Sequence, residues 1–129
     1  MRPRTRRAIV ARLSDFERLV EVGIGERTDV AAALADAGKT VTATDIYPRE
    51  VPANVAFAED DVLDPDPALY RDADAVYALN LPPELHRPVL DAARRHDAAF
   101  LFTTLGGDPP AVPVERETVP GETIFVARD

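Results

Sequence analysis

Apolar residues recur along the chain in two alternating rhythms, and that alternation predicts its elements. Ala8, Ile9, Leu13 and Phe16 fall on one side of a short helix that should end near Ser14 and Asp15. RLVEVG at 18–23 is a compact apolar run closed by Gly23, the pattern of a buried strand. Beyond the loop GIGERTD, Val30, Leu34 and Ala37 share a helical face, with Thr28 or Asp29 as the cap and Gly38 at the end. TVTATD (40–45), VAFA (55–58), DAVYALN (74–80) and AAFLFTT (98–104) follow as strands. DPDPALYRD has room for one helical turn. PPELHRPVLDAARRH is a helix with Leu85, Val89 and Ala92 or Ala93 on one side, and Pro88 should distort its first turns. PVERETV and ETIFVAR alternate and meet across Pro120 and Gly121, a hairpin signal.

Short apolar strands alternating with helices predict a parallel sheet with helices on both faces. Right-handed crossovers and a reversal after the third strand give a Rossmann-like order 3-2-1-4-5. The hairpin adds a C-terminal antiparallel pair beside the fifth strand. No repeat or linker interrupts the chain, so residues 1–129 are expected to form one domain.

Charge narrows the partners. The chain carries a net charge of −8, which disfavours nucleic-acid binding through the whole surface. Lys39 is the only lysine. An acidic, lysine-poor surface is that of a halophile's cytoplasmic protein, or of an acidic bacterial protein from a GC-rich genome. Arg2, Arg4, Arg6 and Arg7 form one basic cluster, readable as a phosphate-contacting arm or as a solvated helix start balanced by the acidic body. There is no cysteine, and no apolar run reaches the ~20 residues of a membrane helix. His86 and His96 lie on different faces of one predicted helix, a poor arrangement for a metal.

The chemistry gathers at the strand ends. In an open α/β sheet the ligand crevice lies beyond the carboxyl ends of the strands, where strand order reverses. Gly23 and Gly25 follow the first strand and let a ligand approach the backbone. Asp45 closes the second strand, where a carboxylate can accept ribose hydroxyls. Asp60, Asp61 and Val62 close the third, and Asn80 the fourth.

LVEVGIGER, TATDIYP, EDDVLDP and ALNLPP together resemble successive motifs of the class I S-adenosylmethionine-dependent methyltransferases. A closer resemblance, in size and in the Pro-Pro-Glu-Leu after the fourth strand, is to a family of small archaeal proteins of that fold. The resemblance implies S-adenosylmethionine as a small-molecule cofactor held by Glu21, Gly23, Gly25, Asp45, Asp61 and Val62. Asn80 would face the methyl acceptor. In that fold Asp45 meets the ribose, Asp61 the adenine amino group and the Val62 N–H its ring. The sequence departs from the pattern twice: no third glycine stands near Arg27, and only LGGDPPAV separates the fifth strand from the next, where full methyltransferases place a helix. NAD is the rival cofactor, but a dinucleotide loop wants a third glycine where Thr28 stands.

Two functions follow: a minimal methyltransferase of unknown acceptor, or a non-catalytic module that binds a cofactor or a partner. The missing helix also predicts an uncovered apolar surface around FLF (100–102) and IFV (124–126), and from it a homodimer or partner contact on the hairpin side, the alternative being that the N-terminal helix folds back over this face.

Overall fold

The structure, a computed structural model, describes residues 1–128. Its elements run α1 (Pro3–Leu13), β1 (Arg18–Val22), α2 (Asp29–Asp36), β2 (Thr40–Asp45), β3 (Ala56–Glu59), α3 (Pro67–Tyr70), β4 (Ala75–Ala78), α4 (Pro83–Arg94), β5 (Ala99–Phe102), β6 (Val114–Val119) and β7 (Glu122–Ala127). They build one seven-stranded sheet in the order β3-β2-β1-β4-β5-β7-β6. The first five strands are parallel, and β7 joins β5 antiparallel, with β6 outermost. The expected order and the terminal hairpin are both present.

Alternation sorts the strand side chains between two cores. Leu19, Val41, Tyr77, Leu101 and Ile124 meet α1 and α2 through Ile9, Leu13, Val30 and Leu34. Val20, Val76, Phe100, Phe102 and Phe125 meet α4 through Val89, Leu90 and Ala93 on the other face. β4 is buried at every position, as a central parallel strand must be. Thr28 occupies the N-cap position of α2, but its side chain makes no capping bond. Pro83 is the first residue of α4, where its missing N–H costs nothing, and Pro88 lies inside that helix.

The surface expected to be uncovered around β5 and the hairpin is largely covered, though Leu105 just after β5 is exposed. Phe100, Leu101, Phe102, Ile124 and Phe125 are all buried. Two devices do the work of the missing helix. On one face α1 folds across the sheet to the hairpin, where the Arg12 Nε donates to Glu117 Oε1 at 2.7 Å and the Thr5 hydroxyl donates to the Pro120 carbonyl at 2.7 Å. On the other face the segment after β5 turns back so that Val112 enters the core. His86 of α4 fastens this segment: Ala111 N–H donates to His86 Nδ1 at 3.0 Å, and Nε2–H donates to the Leu81 carbonyl at 2.9 Å. The outer strand β6 exposes Glu115, Arg116 and Thr118, and charges on an edge discourage pairing with another chain. The covered face removes most of the apolar surface from which a homodimer or partner contact was expected.

The α1–hairpin contact is testable at Gly121. This residue sits at φ +78, and a Cβ there would lie 2.6 Å from Thr5 Oγ1. Gly121→Ala should lower the unfolding free energy by about 1–3 kcal/mol, through left-handed strain and the clash. Thr5→Ala in the same chain should recover part of that loss in urea titrations. Strict additivity of the two substitutions would refute the contact.

Candidate functional site

The crevice forms where β1 and β4 lie side by side and their following segments leave in opposite directions. Gly23 and Gly25 carry the chain out of β1 with φ of +71 and +60, left-handed conformations that favour glycine. The N–H groups of Gly23 and Ile24 both donate to the Thr44 carbonyl, so the turn is tied to the end of β2. A cleft of about 560 Å³ opens beside it, lined by Glu21, Gly23, Gly25, Arg27, Arg49 and Asn80 among others. A Cβ built on Gly23 or Gly25 would meet no atom within 4 Å. The loop backbone thus faces open space on the cleft side.

Glu21 forms part of the cleft wall. It is 2% exposed and accepts a 2.6 Å hydrogen bond from the Tyr77 hydroxyl. The two residues are register partners across β1 and β4, which explains the pairing. Burial pushes the Glu21 carboxyl up to about 8, against the opposing effect of the Tyr77 hydrogen bond. Near neutral pH Glu21 is therefore mainly the neutral acid, able to donate as well as accept. Burial, reinforced by Glu21, also raises the Tyr77 hydroxyl well above its ordinary range.

Asp45 lies beneath the loop. Its Oδ2 accepts the Gly25 N–H at 2.8 Å, and its Oδ1 accepts the Tyr47 N–H at 3.0 Å. Arg49 Nε stands 3.5 Å from Oδ2, an ion-pair distance without hydrogen-bond geometry. The carboxylate thus braces the glycine turn from below. Asp60 continues the same rim: its N–H donates to the Asp45 carbonyl, and its Oδ1 accepts the Asp66 N–H at 2.9 Å. Burial raises the Asp60 carboxyl. Asp61 is exposed and accepts the Leu63 N–H at 2.9 Å, while Val62 is buried in the core. Neither lines the cleft.

Asn80 borders the cleft from the β4 side. It is one of two non-glycine residues with positive φ among those described, at +54. Its N–H donates to Thr103 Oγ1 at 2.9 Å, and the Leu81 N–H donates to the Thr103 carbonyl. The end of β5 thereby holds the left-handed turn in place. The structure brings Glu21, Gly23, Gly25 and Asn80 to one cleft, sets Asp45 under its floor, and leaves Asp61 and Val62 beyond it. Arg27, Arg49 and Tyr77 were not anticipated. Arg49 could have been noticed four residues after Asp45, but only the fold shows that Tyr77 lies against Glu21.

A parallel sheet of this order, with its crevice at the β1/β4 reversal and a terminal antiparallel hairpin, is a methyltransferase-like fold. The crystal structure of an RNA methyltransferase from Salinibacter ruber in complex with S-adenosyl-L-homocysteine superposes with a TM-score of 0.69, covering 98% of this chain and 92% of that one at 16% identity. The N-terminal domain of EvdMO1 with the same product bound gives 0.60, covering 96% and 65% at 21% identity. The chain itself belongs to the family described as Uncharacterised protein family (UPF0146), which matches residues 5–129. A UPF0146 protein of Halobacterium salinarum is 57% identical over 94% of this chain and 95% of its own length. One from Archaeoglobus fulgidus is 41% identical over 70% of each.

Glu21 gives the site a pH signature. A carboxyl raised on folding contributes stability that is complete below its unfolded pKa, near 4.5, and is lost as pH rises through about 8. The loss should approach roughly 5 kcal/mol over that window. Glu21→Gln keeps an acceptor for Tyr77 and should flatten the profile, leaving the variant more stable than the parent at pH 9. Denaturant unfolding at pH 5, 7 and 9 measures this. Parallel profiles for the two proteins would show that Glu21 is not buried as a neutral acid.

Proposed function

We propose that residues 1–129 form a single methyltransferase-like domain that binds S-adenosylmethionine in the β1/β4 crevice and transfers its methyl group to a small acceptor. The observation that carries this reading is the pair of left-handed glycines whose missing side chains leave the loop backbone open to the cleft. A cofactor can approach that backbone closely, and any side chain there would occupy its place. The RNA methyltransferase from Salinibacter ruber and the EvdMO1 N-terminal domain, each crystallised with S-adenosylhomocysteine on this fold, support the choice of ligand.

Each residue has a distinct part. Gly23 and Gly25 supply the close approach. Glu21, neutral near pH 7, offers a hydrogen-bond donor and acceptor at the cleft wall. Asp45 fixes the loop through the Gly25 N–H and, as in the methyltransferases the chain resembles, would accept the ribose hydroxyls. Asp61 and Val62 lie beyond the cleft and take no part in it. Asn80 stands opposite, on the acceptor side. The bound cofactor supplies a sulfonium methyl to an acceptor lone pair; the sulfur keeps the electrons of the broken bond and the acceptor's proton passes to water. Such an in-line displacement depends on positioning more than on acid–base groups. The protein's place is a salt-rich cytoplasm: the surface is acidic and lysine-poor, and no described helix is long and apolar enough to cross a membrane.

The short segment after β5, which has no substrate-binding helix, favours a second reading, a non-catalytic module that binds the cofactor alone. Product formation with radiolabelled methyl donor separates the two.

Two substitutions test the cofactor site by calorimetry. Asp45→Ala should weaken S-adenosylmethionine binding by about 1.5–3 kcal/mol, the range for hydrogen bonds to a charged group. A folded variant with the parent's affinity would remove Asp45 from the site. Gly23→Val should abolish binding, since a β-branched residue resists the left-handed turn and fills the approach. Normal cofactor affinity in that variant would place the ligand elsewhere.

A further inference from the structure

The cofactor crevice does not end at Asn80. A second cleft of about 390 Å³ adjoins it, lined by Met1, Arg2, Thr5, Arg27, Asn80, Gly121 and Glu122. Met1, Arg27 and Asn80 belong to both clefts, so the two meet there. The walls of the second come from the start of α1 and from the β6–β7 turn, which the Thr5–Pro120 hydrogen bond holds together.

The charges in this cleft are not spent within the protein. Among the described residues, the side chains of Arg2 and Arg27 have no ion-pair or hydrogen-bond partner. Arg6, one helical turn beyond Arg2, is by contrast paired with Asp29 at 3.5 Å. The one carboxylate in the lining, Glu122, already accepts the Thr123 N–H with Oε1. The Asn80 side chain also lacks an internal partner, although its backbone is held in a left-handed conformation by Thr103. Backbone strain that the surroundings maintain is characteristic of functional positions. In a chain of net charge −8, two uncommitted guanidinium groups on one cleft are a local reversal of sign. Guanidinium forks match the paired oxygens of a phosphate.

The geometry points to an acceptor subsite for a small phosphate-bearing molecule of mononucleotide size. Arg2 and Arg27 hold the phosphate, and Asn80 orients the other end at the junction with the cofactor crevice. The volume suits such a ligand, and the acidic remainder of the surface repels a long polyanion. The acceptor role rests on the cofactor reading above; the phosphate site does not.

Titration calorimetry at fixed salt, with and without saturating S-adenosylhomocysteine, tests it. The probes are adenosine and uridine 5′-monophosphates, their nucleosides, inorganic phosphate, succinate and a twelve-residue RNA. The monophosphates should bind at least about tenfold more tightly than the nucleosides, the smaller effect expected for a charge-assisted hydrogen bond. Arg2→Gln should remove that advantage while leaving S-adenosylhomocysteine affinity and the melting temperature unchanged. Arg2→Lys should restore part of it, and Arg4→Gln should not affect it. Equal binding of nucleosides and monophosphates, an unaltered Arg2→Gln variant, succinate binding as tight as the monophosphates, or binding of RNA alone would overturn the subsite. Loss of S-adenosylhomocysteine binding with the monophosphate preference intact would instead overturn the cofactor reading.

Discussion

Between β1 and β4 the chain's crossovers part, one toward the α2 face and one toward the α4 face, and no backbone fills the gap they leave. The constraint is topological: right-handed connections from adjacent parallel strands on either side of the reversal must diverge. Several of the molecule's unusual groups are arranged around that gap. The glycine turn leaves β1 there, Asn80 leaves β4 there, and Glu21 and Tyr77 face each other across the same strand pair. The rest of the sheet, with its two apolar cores, fixes the width of the opening.

Two carboxyl groups near this opening have opposite surroundings. Glu21 lies within apolar walls with a tyrosine hydroxyl as its bonded partner, and burial keeps it protonated up to about 8. Asp45 accepts two backbone N–H groups and has Arg49 beside it. One group contributes a neutral donor and acceptor; the other organises backbone dipoles. Similar side chains are thus set to different tasks by their neighbours rather than by their own chemistry. Asp60, only two residues from Val62, belongs to the bracing rim through its bond to the Asp45 carbonyl, whereas exposed Asp61 closes a local turn onto Leu63.

Strand periodicity made the order of the sheet readable, because buried parallel strands are short apolar runs and the glycines and prolines mark their ends. β3 was displaced by one residue, since VAFA and AFAE satisfy the same pattern. That the glycine turn, Glu21 and Asn80 share one crevice was legible because they stand at the ends of strands that must face it. Asp61 was harder to place: adjacent carboxylates are indistinguishable in a sequence, and only the local turn decides which one faces inward. The burial of FLF, Ile124 and Phe125 was legible only as the alternative in which the N-terminal helix folds back, and the His86 anchor not at all. That burial depends on α1 crossing to the far hairpin and on His86 receiving the chain after β5, long-range contacts with no local signature. Arg27 was legible only as a missing glycine, not as a charge shared by two clefts.

The anchoring of two loops on one imidazole limits how this scaffold can diversify. Leu81 and Ala111 both bond the ring of His86, so the chain after β4 and the chain after β5 are fastened to the same point of α4. Insertions between β5 and Ala111 would have to bulge outward around that anchor or release it, and release would also loosen the turn at Asn80. The rim after β5 is thereby closed to growth. Variation is left to the opposite rim, the first turn of α1 and the tip of the hairpin, where side chains can change without disturbing the sheet.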